Sequence, residues 1–397
     1  MKRTWKRKTI AKLIALGVLV ALMVTLLLLQ NNKQVCEFFA TTVARAWIFI
    51  FGHLLSWIPF SLYELFLIVA ILGAIVFVVF VIIFLAKRKW RTLVSTLLAV
   101  ALAVVCFVNV YTATATFSYN RNSLPAQVYT DYVSEDFTFD DALTLATAMV
   151  DDLNYTYEHT EHDADGNIVY PYSFSELSDI LAKEFERLEG GYFSSYTPRA
   201  KKITNKWIMS QLKITGVFFA PFGEANVNGN ESRLYLPMTM AHEMAHSKGV
   251  MRENEADLVA MYVTLTSENP YVRYGTLAKL TSNAINLLSK YPDSLEVTKE
   301  LSDKINRGVS KEKFNDAIFW SQFTLLRDLG DFFNDLYLKS QKQEQGSGSY
   351  VQQPGQTQET EEKDSFDRPV QTIIRFSGTE NFLINLYKQN YLRSGRF

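Results

Sequence analysis

Long apolar runs dominate the first 113 residues and none recurs beyond them. Leu13 to Leu29 is free of charge, Phe66 to Ala86 is 21 uncharged residues, and Thr92 to Tyr111 is a third such run. A membrane span needs roughly 20 predominantly apolar residues. The pattern therefore predicts three transmembrane helices at about 10–30, 65–86 and 92–112. The stretch "WIFIFGHLLSWIPF" (47–60) is apolar but shorter, with Arg45 before it and Pro59 near its end. Its length suits an interfacial or re-entrant segment over 45–60. The basic start "MKRTWKRK" is followed by no small-x-small cleavage site, so the first run reads as an uncleaved anchor.

After residue 113 the pattern is that of a soluble domain. Helical spacing covers 134–157, with Thr138 a possible N-cap, and 173–191, stopped by Gly190 and Gly191. Strand-like stretches follow at 216–222 and 232–237, separated by the turn-rich "GEANVNGNE". Helices are then expected at about 253–267, 272–290, 293–306 and 311–339. Residues 341–369 are polar and Gln-rich, which predicts a flexible linker. Residues 370–397 read as a C-terminal amphipathic helix, with Ser377 and Glu380 at capping-box spacing. The fold class expected is α+β and mostly helical, with the domain proper over 114–340.

Charge sets orientation. Lys2, Arg3, Lys6, Arg7, Lys8 and Lys12 precede the first run, and Lys87, Arg88, Lys89 and Arg91 fill the gap between the second and third. Both clusters are expected to stay cytoplasmic, which places residues 31–64 and everything after about 114 outside. The formal net charge is -1, and no basic excess marks the soluble part, so nucleic acid is not an expected partner. The lipid bilayer is. Only Cys36 and Cys106 are present, so there is no disulfide framework.

The candidate chemistry lies in "HEMAHSKGVMRENEAD" (242–257). His242 and His246 are four apart, on one face of a helix, and two imidazoles so placed can hold one Zn²⁺. Glu243 stands about 100 degrees round that helix, where it can act as base on a zinc-activated water. Gly249 can end the helix in a left-handed cap. A second helix then offers acids. A catalytic zinc takes three protein ligands and keeps one open position. Glu253 is the preferred third ligand and Glu255 the alternative. Asp257, four residues after Glu253, can orient a ligand histidine from behind. Tyr235, Arg252 and Tyr262 are further candidates, as oxyanion stabilisers. "YEHTEHDADGN" (157–167) mimics the start of a calcium loop but has Tyr172 at its twelfth position, so a polar turn is expected there. "APFGEANVN" (220–228) fits either a substrate-facing edge strand or a plain turn.

The two-helix arrangement resembles the zincin peptidases whose third ligand is glutamate. "ENEAD" resembles their second helix, although Glu253 follows His246 by only seven residues, where better-known members have a longer insertion. The chain also resembles a family of bacterial multi-pass membrane proteins known only as a domain of unknown function. That resemblance runs through "IPFSLYE", "SYNR", "APFGEANVN", "HEMAHSKGVMRENEAD" and "NDLYLKSQ". Together these imply a zincin-like metallopeptidase domain on the outside of a bacterial cell membrane, acting with Zn²⁺ on peptide or protein substrates. A membrane scaffold or sensor with a structural zinc site is the alternative expectation.

Overall fold

The computed structural model describes residues 2–124, 137–188, 191–343, 357–363 and 369–397. Among them, four helices are long and apolar enough to cross a membrane. Three are the expected runs: α1 (Lys2–Leu29), α3 (Leu62–Ala86) and α4 (Trp90–Tyr111). No residue of α3 is buried. The large apolar side chains exposed along it have no protein to cover them, as befits a helix surrounded by lipid. Helices α1 and α4 pack together. Trp5 Nε1 donates to the Arg91 carbonyl at 3.3 Å, Lys12 Nζ to that of Ser95 at 2.8 Å, and Asn109 Nδ2 to that of Leu19 at 3.1 Å. The two basic clusters therefore lie at the same end of the helices.

The fourth such helix corrects the expectation of a short segment over 45–60. Helix α2 runs from Lys33 to Leu55, through a π turn at Phe39–Ala44. Lys33, Glu37 and Arg45 interrupt the apolar run and conceal its length in the sequence. Cys36, Ala40, Ala44, Ile48 and Gly52 are buried, one per turn, which marks a packed stripe down the whole helix. Both ends touch the part of the chain that follows the apolar helices. Glu37 pairs with Arg121 at 2.5 Å, and Lys201 Nζ donates to the Leu55 carbonyl at 3.2 Å. Between them Trp47 Nε1 donates to the Pro221 carbonyl at 3.0 Å. Helix α2 thus lies along the domain from end to end.

The domain is built on helix pairing. Helix α5 (Phe139–Glu158) begins at a capping box between Thr138 and Asp141 and packs on α10 (Pro270–Leu288). Leu145, Met149 and Leu153 face Leu277, Leu280 and Ala284 in one core. Helices α6 (Phe174–Glu184), α7 (Lys206–Gln211), α8 (Leu236–Ser247), α9 (Glu253–Leu265), α11 (Leu295–Lys304), α12 (Arg307–Ser321) and α13 (Arg327–Ser340) complete it. The single helix expected over 311–339 is two. At the break, Gln211 Oε1 accepts the Leu325 amide at 2.9 Å and Lys213 Nζ donates to the Trp320 carbonyl, so distant groups replace helical hydrogen bonds.

A short hairpin joins β1 (Glu161–His162) to β2 (Ile168–Val169). Asp163 Oδ1 accepts the amides of Asp165 and Asn167 there, which is the polar turn expected of "YEHTEHDADGN". The main sheet has the order β3 (Lys201–Ile203), β5 (Glu224–Asn228), β4 (Gly216–Phe219), with β3 parallel and β4 antiparallel to β5. This corrects two expectations. "GEANVNGNE" contains the central strand β5, every residue of which is buried. The stretch 232–237 is a turn entering α8. Asparagines make β5 look like a loop, but its side chains find partners inside: Asn226 donates to the Val217 carbonyl and Asn228 to that of Ile214.

The polar stretch 341–369 is not a linker throughout. Residues 344–356 and 364–368 lie outside the described residues, but β6 (Thr357–Lys363) pairs antiparallel with β7 (Pro369–Arg375). The C-terminal helix is shorter than 370–397: α14 covers Gly378–Leu386 and continues through a π turn at Tyr387–Tyr391 to Leu392–Ser394, with the Ser377–Glu380 capping box in place. It docks on the domain, burying Leu383 and Ile384 and pairing Glu380 with Lys290 at 2.5 Å.

Candidate metal centre

Helix α8 is the middle layer of the domain, lying between β5 on one side and α9 on the other. Pro237 fits its first turn, where no amide partner is needed. Met240, Ala241, Met244 and Ala245 are fully buried. It ends at Gly249, whose φ of +89° is a left-handed cap. The Gly249 amide donates to the His246 carbonyl at 3.1 Å, and Arg121 Nη1 holds the Gly249 carbonyl at 3.3 Å. The chain then reverses and α9 begins at Glu253. Seven residues suffice for the return because the cap turns the backbone at once.

The reversal brings His242, His246 and Glu253 together. One ligand atom from each lies within 4.8 Å of the others. His242 Nε2 is 3.1 Å and His246 Nε2 3.7 Å from the same oxygen, Glu253 Oε2. The outer nitrogens are tied back. His242 Nδ1 donates to Asp257 Oδ1 at 2.8 Å, and His246 Nδ1 donates to the Val250 carbonyl at 2.7 Å. These bonds fix both rings with Nε2 turned to the shared centre. Glu255 turns away and pairs with Arg252. Two imidazoles and one carboxylate, each oriented from behind, form a donor set that could hold a zinc ion with one position open.

Burial disfavours the charged form of His242, but the hydrogen bonds it donates to Asp257 and Glu253 outweigh it and hold its pKa well above the usual value. Its Nε2 proton then points at Glu253 Oε2, where a cation shared by the three side chains would displace it. Burial pushes His246 down to about 4, so this ring is neutral. Glu253 is opposed by burial but held below the usual carboxylate range by the two histidines. Burial pushes Glu243 up to about 8. Glu243 accepts from the Phe218 backbone amide, while its Oε2 is buried and finds no hydrogen-bond partner among the described residues. A buried, half-satisfied carboxyl beside the donor set is placed to take up or give a proton.

Several contacts here join residues far apart in the chain. Tyr119, where the helix that continues α4 through a π turn at Thr112–Thr116 ends, donates its hydroxyl to Glu253 Oε1 at 3.3 Å. Tyr337 of α13 lies 2.9 Å from the Tyr119 hydroxyl and 2.5 Å from that of Tyr111. Phe218 of β4 approaches the His246 ring, with centroids 5.9 Å apart. Gly216 leaves space for Glu243, since a Cβ there would overlap Oε1. Tyr119 lies within "SYNR" and Tyr337 within "NDLYLKSQ", but no local pattern links either to the histidines. Of the oxyanion candidates, Arg252 is committed to the carbonyls of Tyr119 and Arg121 and to Glu255. Tyr235 and Tyr262 pack against the hydrophobic core.

The fold and cluster together define a helical, membrane-associated chain with a buried His-His-Glu centre beside its apolar helices. A family model described as a protein of unknown function (DUF3810) matches residues 39–355, and the chain belongs to that family. No curated protein and no solved structure matches it.

Proposed function

We propose that this protein is a membrane-anchored zinc metallopeptidase with a zincin-like domain on the outer side of a bacterial cell membrane. One observation carries the reading. His242 Nε2, His246 Nε2 and Glu253 converge on one point, the outer histidine nitrogens anchored, with the half-satisfied carboxyl of Glu243 beside them. When bound there, zinc would lower the pKa of water towards roughly 7 and polarise a peptide carbonyl. Glu243 takes the proton of the attacking water and delivers it to the leaving amine. With a cation held at the triad, the pKa of Glu243 would fall from about 8 towards the range a base needs. Strand β4 is the edge of its sheet, and a peptide can add there as a further strand. The edge-strand role considered for "APFGEANVN" thus passes to "GVFF" (216–219).

The contacts support the orientation we propose. The basic clusters sit together at one end, and the domain meets the other ends of α3 and α4. Since α2 touches the domain at both ends, we count three crossings and the domain outside. A reporter fused after residue 130 is expected to be active outside the cytoplasm, and cytoplasmic activity overturns the orientation. A second reading, a structural zinc site in a non-catalytic scaffold or sensor, draws on the cover that Tyr119 and Tyr337 place over Glu253, which is 7% exposed. The deciding experiment compares the purified full chain with Glu243→Ala for zinc content and for cleavage of a mixed peptide library. Equal zinc with cleavage lost only in the variant supports the enzyme. Full zinc with no cleavage by the parent supports the structural site.

A further inference from the structure

Helix α13 has three faces. Gly330, Tyr337 and Leu338 turn to the protein. Leu338 is fully buried, and a Cβ at Gly330 would overlap the Leu212 carbonyl. Asp328, Asp331 and Asp335 form a second, acidic stripe. Leu329, Phe332, Phe333 and Leu336 form the third, and they are 46%, 60%, 56% and 55% exposed. Their spacing of three, one and three residues keeps them on one side of the helix. Four residues before Leu329, Leu325 is 71% exposed, and Trp207 of the adjoining helix α7 is 53% exposed. A soluble surface rarely carries so continuous a run of large apolar side chains.

What covers this face is indicated by where it stands. Tyr337 of α13 bonds the hydroxyl of Tyr111, in the last turn of α4. Just before α7, the amides of Thr204 and Asn205 donate to Glu64, in the first turn of α3. Both apolar helices are thus fastened to the domain-side ends of two helices that we read as spans. On α3 itself, Leu65 and Ile68, one turn into the helix, are 45% and 47% exposed. The acidic stripe beside the apolar face of α13 is suited to water. An apolar face next to a charged one, at the end of a span, is the pattern of a helix lying in the membrane interface.

We propose that the apolar face of α13, with Trp207, docks on the lipid bilayer around the outer ends of α3 and α4. The occupant is lipid, held by apolar burial. With three aspartates against Arg327 and Lys339, α13 has no surplus of positive charge to draw anionic headgroups. Docking sets α13 at headgroup depth and holds Tyr337 against Tyr119, the residue that bonds Glu253. The candidate centre then lies close to the membrane surface, within reach of polypeptide segments just outside the bilayer. The proposal rests on α3 and α4 being spans and is independent of zinc and of peptide cleavage.

The test uses the full chain in phosphatidylcholine vesicles. Cys106→Ala removes the exposed cysteine, and Cys36 is fully buried, so a nitroxide label introduced elsewhere is selective. Labels are placed by Leu329→Cys, Phe332→Cys, Leu336→Cys and, on the acidic stripe, Asp331→Cys. All four positions lie on the surface of α13 and off the packed side, so the fold is retained. Relaxation by oxygen, which concentrates in lipid, is compared with relaxation by a water-soluble nickel complex. Oxygen is expected to dominate at 329, 332 and 336, and nickel at 331. Nickel dominating at all four overturns the proposal. So does poor access of both reagents to the apolar positions, which would mean a second copy of the chain or another protein covers the face.

Discussion

His242 Nδ1 and Asp257 Oδ1 meet at 2.8 Å across the two helices that Gly249 folds together. The bond fixes which nitrogen of His242 faces His246 and Glu253. Partners of this kind commonly account for 10–100-fold in metal affinity. Asp257→Ala is therefore expected to weaken zinc binding by about that factor, measured by titration against a chelator. Asp257→Asn, whose amide oxygen can still accept from Nδ1, is expected to keep most of it.

The two acids that compete in the sequence should separate experimentally. Glu253 faces both histidines, while Glu255 is paired with Arg252 and bonded to the backbone of Leu124. Glu253→Gln should abolish stoichiometric zinc and leave the fold intact. Glu255→Gln should retain zinc and lower the melting temperature, because it leaves Arg252 with one buried partner fewer. The reverse pattern would make Glu255 the ligand.

Gly216 gives a test of the base that does not alter the base itself. A methyl group there would push against Glu243 Oε1 and Cγ. Gly216→Ala is expected to bind zinc like the parent and to lose turnover by about 100-fold or more, the scale of general acid–base catalysis. Parental cleavage rates in Gly216→Ala would exclude Glu243 as the proton carrier.

Stability should fall with rising pH because of Glu231. Burial pushes its pKa to about 8, against 4.5 for the ordinary carboxyl, and a hydrogen bond from Thr239 only partly offsets this. Between those values the folded chain keeps a proton that the unfolded chain releases. Its share of stability is complete below pH 4.5 and declines as pH rises towards 8, by up to about 1.4 kcal/mol per pH unit. Glu231→Gln should flatten the denaturant midpoint across this window. An unchanged slope would show that Glu231 ionises normally.

The histidine helix and its partner could be read from the sequence because their chemistry is local. His242, His246, Gly249, Glu253 and Asp257 fall within sixteen residues at helical spacing. The three longest apolar runs were legible for the same reason. What the sequence concealed was set by distant partners. Strand β5 is spelled with asparagines whose amide groups donate to Val217, Ser210 and Ile214. Helix α2 hides its length behind Glu37 and Arg45, whose partners Arg121, Gly191 and Tyr192 come much later in the chain. Tyr119 reaches Glu253 across 134 residues and Tyr337 reaches Tyr119 across 218, separations that no periodicity reveals.

The central claim is that His242, His246 and Glu253 hold zinc. Its most direct test is the metal content of the full chain, purified under metal-replete conditions and measured by elemental mass spectrometry beside His246→Ala. The account predicts about one zinc per chain in the parent and almost none in the variant. A parent without zinc, or a variant that keeps it, would contradict the claim.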